Sequence, residues 1–271
     1  MERAHQLVHW FSRYPSCLIA FSGGVDSAVV ARAASEYLGD KALAVTGVGP
    51  AVAQSELKIA ADVAKQISIC HEFVTTHESE QEAYRVNDLR RCYHCKTELY
   101  GTLVRLAKDR KIEVVVSGTN ADDLGDYRPG LQAAAENAIQ HPLAELGFTK
   151  AHVRELAHYW GLSVADKPAS PCLASRIAYG IEVTPERLKR VELAEAWLAE
   201  RGLREFRVRV HQDELARLEI TYADLAQFFK DDEFRRSVAH ELRKLGFNRV
   251  TVDLEGFCSG SLYQLKKTVS G

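Results

Sequence analysis

Residues 17–27 read CLIAFSGGVDS: an apolar run from Cys17 to Phe21 stops at Ser22-Gly23-Gly24 and passes through Val25 into Asp26 and Ser27. A short apolar run bounded by a Gly-Gly pair predicts a buried strand, and the pattern from Asp26 to Leu38, closed by Gly39, predicts a helix. Two glycines let the backbone turn sharply and approach a ligand. Ser22, Ser27 and the unpaired amides at the helix N-terminus point donors at an anion, which makes the turn a nest suited to phosphate. Asp26 does not suit direct anion binding, so it implies a divalent cation bridging carboxylate and phosphates, with Asp26 as a magnesium ligand. Taken alone, the Gly-Gly turn serves equally as a plain connection, with Asp26 and Ser27 as capping residues.

Working outward, a second apolar run (Ala42 to Thr46) precedes an Ala-rich helical segment from about Gln54 to Gln66, and His71 to Thr75 gives a third strand. Helix returns from about Cys92 to Lys108, followed by strand Val114 to Ser117. Strands alternating with helices predict an α/β domain with a parallel sheet covered on both faces. The polar, turn-rich string GTNADDLGDYRPG begins at Gly118, just past a strand's C-terminal end, the edge where open α/β sheets bind ligands. A helix from Thr149 to Trp160 closes at Gly161. The irregular LSVADKPASPCLASRIAYG follows, and the domain boundary is placed there, near Tyr179. Residues 1–179 then form the nucleotide domain and 180–271 a smaller α+β domain for substrate binding or oligomerisation. In the latter, Thr184 is an N-cap with Pro185 at the first helical position, and the helix runs to Arg201 before Gly202. Strands Glu205 to Val210 and about Ala216 to Ile220, a helix from about Asp232 to Leu245 and a strand Arg249 to Leu254 complete it.

The chain has 271 residues, 46% hydrophobic and 27% charged, as in globular proteins generally. Its formal net charge of −2 and the lack of long single-sign runs give no bulk electrostatic grip on a long nucleic acid, so a small-molecule substrate is the default. The first residues, MERAHQLVHWFSRYP, hold no apolar core followed by a small-residue cleavage site, and no stretch is apolar for long enough to span a bilayer. The expectation is a cytoplasmic protein without membrane contact.

Six cysteines are too sparse for a disulfide scaffold in a chain this long. Cys172 stands out in SPCLASR, with Arg176 close by; a guanidinium near a thiol favours the nucleophilic thiolate. A buried inert thiol is the alternative. Cys92 and Cys95, in RCYHCK, are at most half of a zinc site, because a closed site takes four ligands. Cys17 and Cys70 read as core residues, and Cys258 gives no argument. In RVRVH, strand alternation puts Arg207, Arg209 and His211 on one face, with Phe206, Val208 and Val210 on the other. Two arginines so spaced can hold a phosphate or carboxylate, with an anionic substrate between the domains; a solvated strand face is the bland alternative. Lys96 and Lys150 are phosphate contacts or, equally, solvated side chains.

The string SGGVDS after an apolar strand resembles the PP-loop of ATP pyrophosphatases, and lacks the Gly-Lys-Ser/Thr ending of a Walker loop. The resemblance implies cleavage of ATP between its α and β phosphates, with AMP left on the substrate. The ordered set FSGGVDS, RCYHCK, GTNADDLGDYRPG, HPLAELGFTKAHVRELA, KPASPCLASRIAYG, RVRVH and LEGFCSGS is similar to the LarE family of ATP-dependent sacrificial sulfur transferases. That resemblance implies ATP contacts from Ser22, Gly23, Gly24, Val25, Asp26, Ser27, Thr46, Lys96, Gly118 and Thr119, with ATP and Mg2+ required. It implies a pyridinium mononucleotide bearing two carboxylates as substrate and sulfur donated by Cys172, which becomes dehydroalanine. Arg207 and Arg209 would hold the substrate, Arg176 would assist the thiolate, and the chain would be a homo-oligomer. Some relatives hold an iron–sulfur cluster on three clustered cysteines; Cys172 has no cysteine companion in its segment, which favours the sacrificial route. The tail has Phe-Cys where the family pattern leads one to expect Tyr-Arg.

Three other readings stay open at this stage. An amidotransferase of the NAD synthetase kind would let ammonia capture the adenylate and needs no cysteine. A tRNA-thiolating relative would want a basic RNA-binding module or a cysteine cluster, and neither is evident. A protein that binds ATP without cleaving it would release no pyrophosphate.

Overall fold

The structure, a computed structural model, describes residues 1–125 and 129–258. The chain divides into two units, Met1–Tyr84 with Arg90–Ser170, and Arg85–Leu89 with the residues from Pro171 onward. The division therefore falls between Ser170 and Pro171, ahead of the boundary placed near Tyr179, and carries Cys172 and Arg176 into the second unit.

The first unit opens with α1 (Glu2–Trp10), an element not expected from the sequence, and continues through β1 (Cys17–Ala20), α2 (Val25–Leu38), β2 (Ala42–Val48), α3 (Gln54–Ile67), β3 (Cys70–Thr75), the one-turn α4 (Glu82–Arg85), α5 (Arg91–Asp109) and β4 (Val114–Ser117). Helices α6 (Pro129–Glu136), α7 (Pro142–Glu145) and α8 (Lys150–Tyr159) follow. Among the described residues the strands form a four-stranded sheet in the order β3-β2-β1-β4, every pair parallel. Strand alternation divides the core by parity. Cys17, Ile19, Ala44 and Val116 join the cluster supplied by α1, α2, α3 and α8, whereas Leu18, Leu43, Val45 and Val115 join Tyr100 and Leu103 of α5 and Ala133 and Ala134 of α6. Each fully buried aliphatic side chain of this kind contributes about 1.5–3 kcal/mol. The sheet is thus covered on both faces, as a parallel sheet must be. The strand order places β1 between β2 and β4, so the loops leaving β1 and β4 open at the point where the winding reverses, the ligand-binding edge of such sheets.

The second unit contains α9 (Pro185–Ala199), β5 (Phe206–His211), β6 (Leu215–Ile220), α10 (Tyr222–Lys230), α11 (Asp232–Lys244) and β7 (Arg249–Val252). Thr184 caps α9 by accepting from the Arg187 amide at 3.2 Å, with Pro185 at the first position. The sheet order is β5-β6-β7, antiparallel then parallel. Leu188, Val191, Ala194 and Leu198 form the buried stripe of α9, and Val208 and Val210 are buried on β5. The excursion Arg85–Leu89 fastens the loop after Cys172. The fully buried Asn87 amide donates to the carbonyls of Ala178 (2.9 Å) and Ile181 (2.8 Å), and the Arg85 carbonyl accepts from Val183.

Candidate functional site

The turn after β1 is built to leave donors at its mouth. Gly23 has φ +69°, and a Cβ there would lie 2.6 Å from the Ala60 Cα, so both its backbone conformation and its close packing demand glycine. Ser27, buried, donates from Oγ to the Gly24 carbonyl (3.0 Å) and accepts from the Ser22 amide (3.2 Å), while Ser22 Oγ accepts from the Gly24 amide (3.3 Å). These bonds fix the turn with its own side chains. The amides of Val25, Asp26 and Ser27 fall in the first turn of α2, where no helical acceptor exists, and so remain available to an anion.

The loop after β4 closes on this turn. A Cβ on Gly118 would meet the Ser27 amide nitrogen at 2.7 Å and the Asp26 carbonyl carbon at 2.8 Å, so the backbones are in direct contact. Asn120, buried, donates from Nδ2 to Asp26 Oδ1 (3.1 Å), and Lys150 Nζ reaches Asp26 Oδ2 at 2.5 Å. Asp123 accepts from the Asn120 amide and Asp122 from the Lys150 amide, so this acidic pair secures the loop. Thr119 Oγ1 lies 3.1 Å from Ser117 Oγ, which in turn contacts His141 Nδ1 at 2.8 Å. Burial holds His141 below the usual imidazole range.

Thr46 is buried in β2, and its hydroxyl donates to the Phe21 carbonyl (2.8 Å). Having given away its one proton, it accepts from His71 Nε2 at 2.8 Å, which fixes the Nε2–H tautomer of that neutral ring. Burial keeps His71 below its ordinary value. Lys96 sits within α5 with its ammonium over the Tyr100 ring and its stem beneath Gly130.

In the second unit, Cys172 is exposed at the start of a short 3-10 turn, Leu173–Arg176. Arg176 is buried and grips that turn from within. Its Nη1 donates to the carbonyls of Pro171 (2.5 Å) and Cys172 (3.1 Å) and to Ser175 Oγ (3.0 Å), while Nε and Nη2 make a two-point pair with Glu195 of α9, both at 3.0 Å. Among the described residues its hydrogen bonds all go to oxygens, so the guanidinium holds the backbone of the cysteine turn rather than the thiol. Glu195 also accepts from the Val208 amide, tying β5 to the same point.

The cationic face of β5 is largely neutralised from within. Arg209, buried, donates to Glu219 (2.8 Å) and to the Ser175 carbonyl (2.9 Å); Glu219, fully buried, also accepts from Arg217, which pairs with Asp253 at 3.0 Å. Arg209 is thus neither solvated, as in the bland alternative, nor presented beside Arg207 as an uncompensated cation, as the two-arginine reading expected. Arg207 differs: it donates to the Phe206 carbonyl and lies over the Phe257 ring, and among the described residues no carboxylate lies within ion-pair distance of it. Burial first, then the positive charge of Arg176, holds its pKa below the ordinary guanidinium value, so an incoming anion there would relieve an electrostatic cost. His211 completes the row, with its pKa lowered by burial and by Arg217.

Cys17 is buried, as a core residue should be, which pushes its thiol well up, but Cys70 is exposed rather than in the core. Among the described residues no group of three or more His, Cys, Asp or Glu side chains is placed to hold a metal ion. Of the string GTNADDLGDYRPG, residues 126–128 lie outside the described residues, as does LEGFCSGS from Ser259 onward. Sequence reasoning passed over Glu195 and Glu219. Glu195 had a signal, since a carboxylate beside the apolar stripe Leu188, Val191, Ala194, Leu198 demands a buried partner.

A family model described as asparagine synthase matches residues 15–250. An uncharacterized protein of Synechocystis sp. is 44% identical over 96% of this chain and 97% of its own length. The pyridinium-3,5-bisthiocarboxylic acid mononucleotide synthase of Lactiplantibacillus plantarum is 34% identical over 90% of this chain and 87% of its own. An uncharacterized protein of Methanocaldococcus jannaschii is 29% identical over 88% of this chain and 89% of its own.

Proposed function

The chain belongs to the asparagine synthase (PP-loop) family and, within it, to the LarE family, and from that premise we propose that it is an ATP-dependent sulfur transferase whose donor is its own Cys172. The observation that carries the reading is an exposed thiol on a turn whose backbone is clamped by Arg176 and Glu195, in a chain that also holds a phosphate nest at Ser22–Ser27. An ordinary surface cysteine does not require a buried two-point ion pair to set its main chain.

In the proposed reaction the nest binds the phosphates of ATP and a substrate carboxylate attacks the α-phosphorus, releasing pyrophosphate and leaving an acyl adenylate. The Cys172 thiolate displaces AMP to form a thioester. Loss of the Cys172 α-proton with cleavage of Cβ–Sγ then leaves a thiocarboxylate and dehydroalanine at position 172. The name of the Lactiplantibacillus relative makes a pyridinium-3,5-dicarboxylate mononucleotide the substrate to try first. Arg207 suits one of its anionic groups.

The donor set around Asp26 fits a magnesium ion that arrives on ATP better than one held by the protein alone. Asp26 is the carboxylate at the nest, and it accepts from Lys150 and Asn120 rather than standing in an acidic cluster. Bound there with ATP, the metal would neutralise phosphate charge, and Lys150 would be free to contact the phosphates instead.

Intact-protein mass spectrometry before and after incubation with ATP, magnesium and that mononucleotide tests the proposal. Loss of the elements of hydrogen sulfide, mapped to the Cys172 peptide, is the expected result, and Cys172→Ala should yield no thiocarboxylate. Undiminished multiple turnover by Cys172→Ala, with ammonia incorporated, would establish the amidotransferase reading instead.

A further inference from the structure

The Cys172 carbonyl oxygen accepts two hydrogen bonds, one from the Ser175 amide at 2.9 Å and one from Arg176 Nη1 at 3.1 Å. We infer that this pair of donors is an oxyanion hole for the enolate that forms when Cys172 loses its α-proton, making Arg176 a catalytic residue of the elimination step rather than an activator of the thiol. The inference rests on the sacrificial reading above and assigns the stage of that reaction at which Arg176 acts.

The chemistry follows from where charge must go. In the thioester, the α-hydrogen of Cys172 is adjacent to the residue's own amide carbonyl. When a solvent base takes that proton, the C–H electron pair delocalises onto the carbonyl oxygen. Its return forms Cα=Cβ and expels Sγ with the Cβ–Sγ electron pair, so the products are dehydroalanine and the thiocarboxylate anion, and no oxidant or reductant is needed. An amide α-proton is a weak acid, and the enolate oxygen is the atom whose stabilisation lowers the barrier. Both donors are in place before the reaction. Ser175 presents its amide through the 3-10 turn, and Arg176 is held by the two-point contact with Glu195, so neither reorganises as charge develops. Arg176 Nη1 shares its protons among three oxygens, those of Pro171, Cys172 and Ser175. Negative charge on the Cys172 oxygen would draw that shared bond toward it, which is stabilisation specific to the transition state.

The arrangement distinguishes two roles that a nearby arginine could play. An activator of the thiol would have to lie against Sγ, and its loss would slow formation of the thioester. A donor to the enolate oxygen acts only after the thioester exists, and its loss should trap that adduct.

The test is a quenched time course of intact-protein mass spectra for the full-length protein and its Arg176→Lys and Arg176→Gln variants with ATP, magnesium and pyridinium-3,5-dicarboxylate mononucleotide. Expected is accumulation of the Cys172–substrate thioester in Arg176→Gln, with conversion to dehydroalanine slowed on the order of 100-fold, the usual loss for one oxyanion donor, and a smaller delay in Arg176→Lys. Incorporating cysteine deuterated at Cα should slow dehydroalanine formation in the variants more than in the parent, a response that a purely structural role would not give. The inference is overturned if either variant reaches dehydroalanine at the parent rate, or if folded Arg176→Lys, judged by circular dichroism, forms no adduct while still releasing pyrophosphate. A parent protein that releases pyrophosphate yet shows neither adduct nor dehydroalanine would remove the sacrificial reading itself, and the inference with it.

Discussion

At the scale of single residues, the nucleotide site depends on positions where a methyl group has no room. Gly118 is the clearest: its Cβ would fall within 3 Å of backbone atoms of Asp26 and Ser27, and backbone cannot rotate out of the way as a side chain can. Gly118→Ala should therefore separate the β4 loop from the phosphate nest, costing about 1–3 kcal/mol of stability, as overpacking generally does. Comparing thermal midpoints with and without ATP is the check: a lower midpoint and weaker protection by ATP are expected, and an unchanged ATP response would mean that the loop does not form the nest wall. Arg207 makes the second prediction at this scale. Arginines 176 and 209 are already paired with glutamates, so the contribution to holding a substrate anion should be concentrated at Arg207. A hydrogen bond to a charged group is worth about 1.5–3 kcal/mol, so Arg207→Gln should raise the substrate concentration for half-maximal single-turnover rate by about 10- to 100-fold, with a smaller effect on the saturated rate. Equal saturation curves for the two proteins would remove Arg207 from the substrate site.

At the scale of elements, strand β5 shows why parity is legible in a sequence and neutralisation is not. Alternation in FRVRVH correctly puts Val208 and Val210 in the core, since successive side chains must point oppositely. What the pattern could not show is that Arg209 would meet Glu219 across the ladder, because register between β5 and β6 is set by the turn at Gln212–Glu214 and by the whole buried face. The same limit applies to the cysteine turn. Its partners Asn87 and Glu195 are remote in sequence from the loop they hold, and an irregular segment carries no periodicity to advertise them. Strand, turn and phosphate nest, by contrast, are local, and residues 17–38 declared them. The buried pair yields a direct prediction. Glu219 is fully inaccessible and accepts from both Arg209 and Arg217, so Glu219→Gln would leave a buried guanidinium uncompensated. Loss of about 3–5 kcal/mol is expected, read as a fall in the denaturant midpoint of the second unit, whereas a midpoint within error of the parent would show that water reaches this face.

At the scale of the whole molecule, pH dependence follows from imidazoles folded in their neutral form. Burial is the largest cause lowering the pKa of His71 on β3, His141 beside Ser117 and His211 on β5, each below the ordinary imidazole value of 6.5. A histidine whose folded pKa lies below its unfolded one leaves the unfolded chain binding more protons as acidity rises, so the folded state loses stability as pH falls from about 6.5 toward the folded values, and none of this loss appears above that range. Glu214 acts in the same direction at greater acidity. Burial tends to raise its pKa, but hydrogen bonding and charge from Arg187 and Arg190 outweigh that and lower it, so its stabilisation persists until the carboxylate protonates. The first acid-sensitive step therefore belongs to the histidines. Thermal midpoints should be level between pH 8 and 7 and should drop between pH 6.5 and 5. In His141→Gln, which cannot take up the proton but can still hydrogen-bond to Ser117, the drop should be smaller even if the midpoint at pH 8 is lower. A parent midpoint that rises on acidification, or a variant whose slope matches the parent's, would show that burial does not hold the His141 ring neutral in the folded protein.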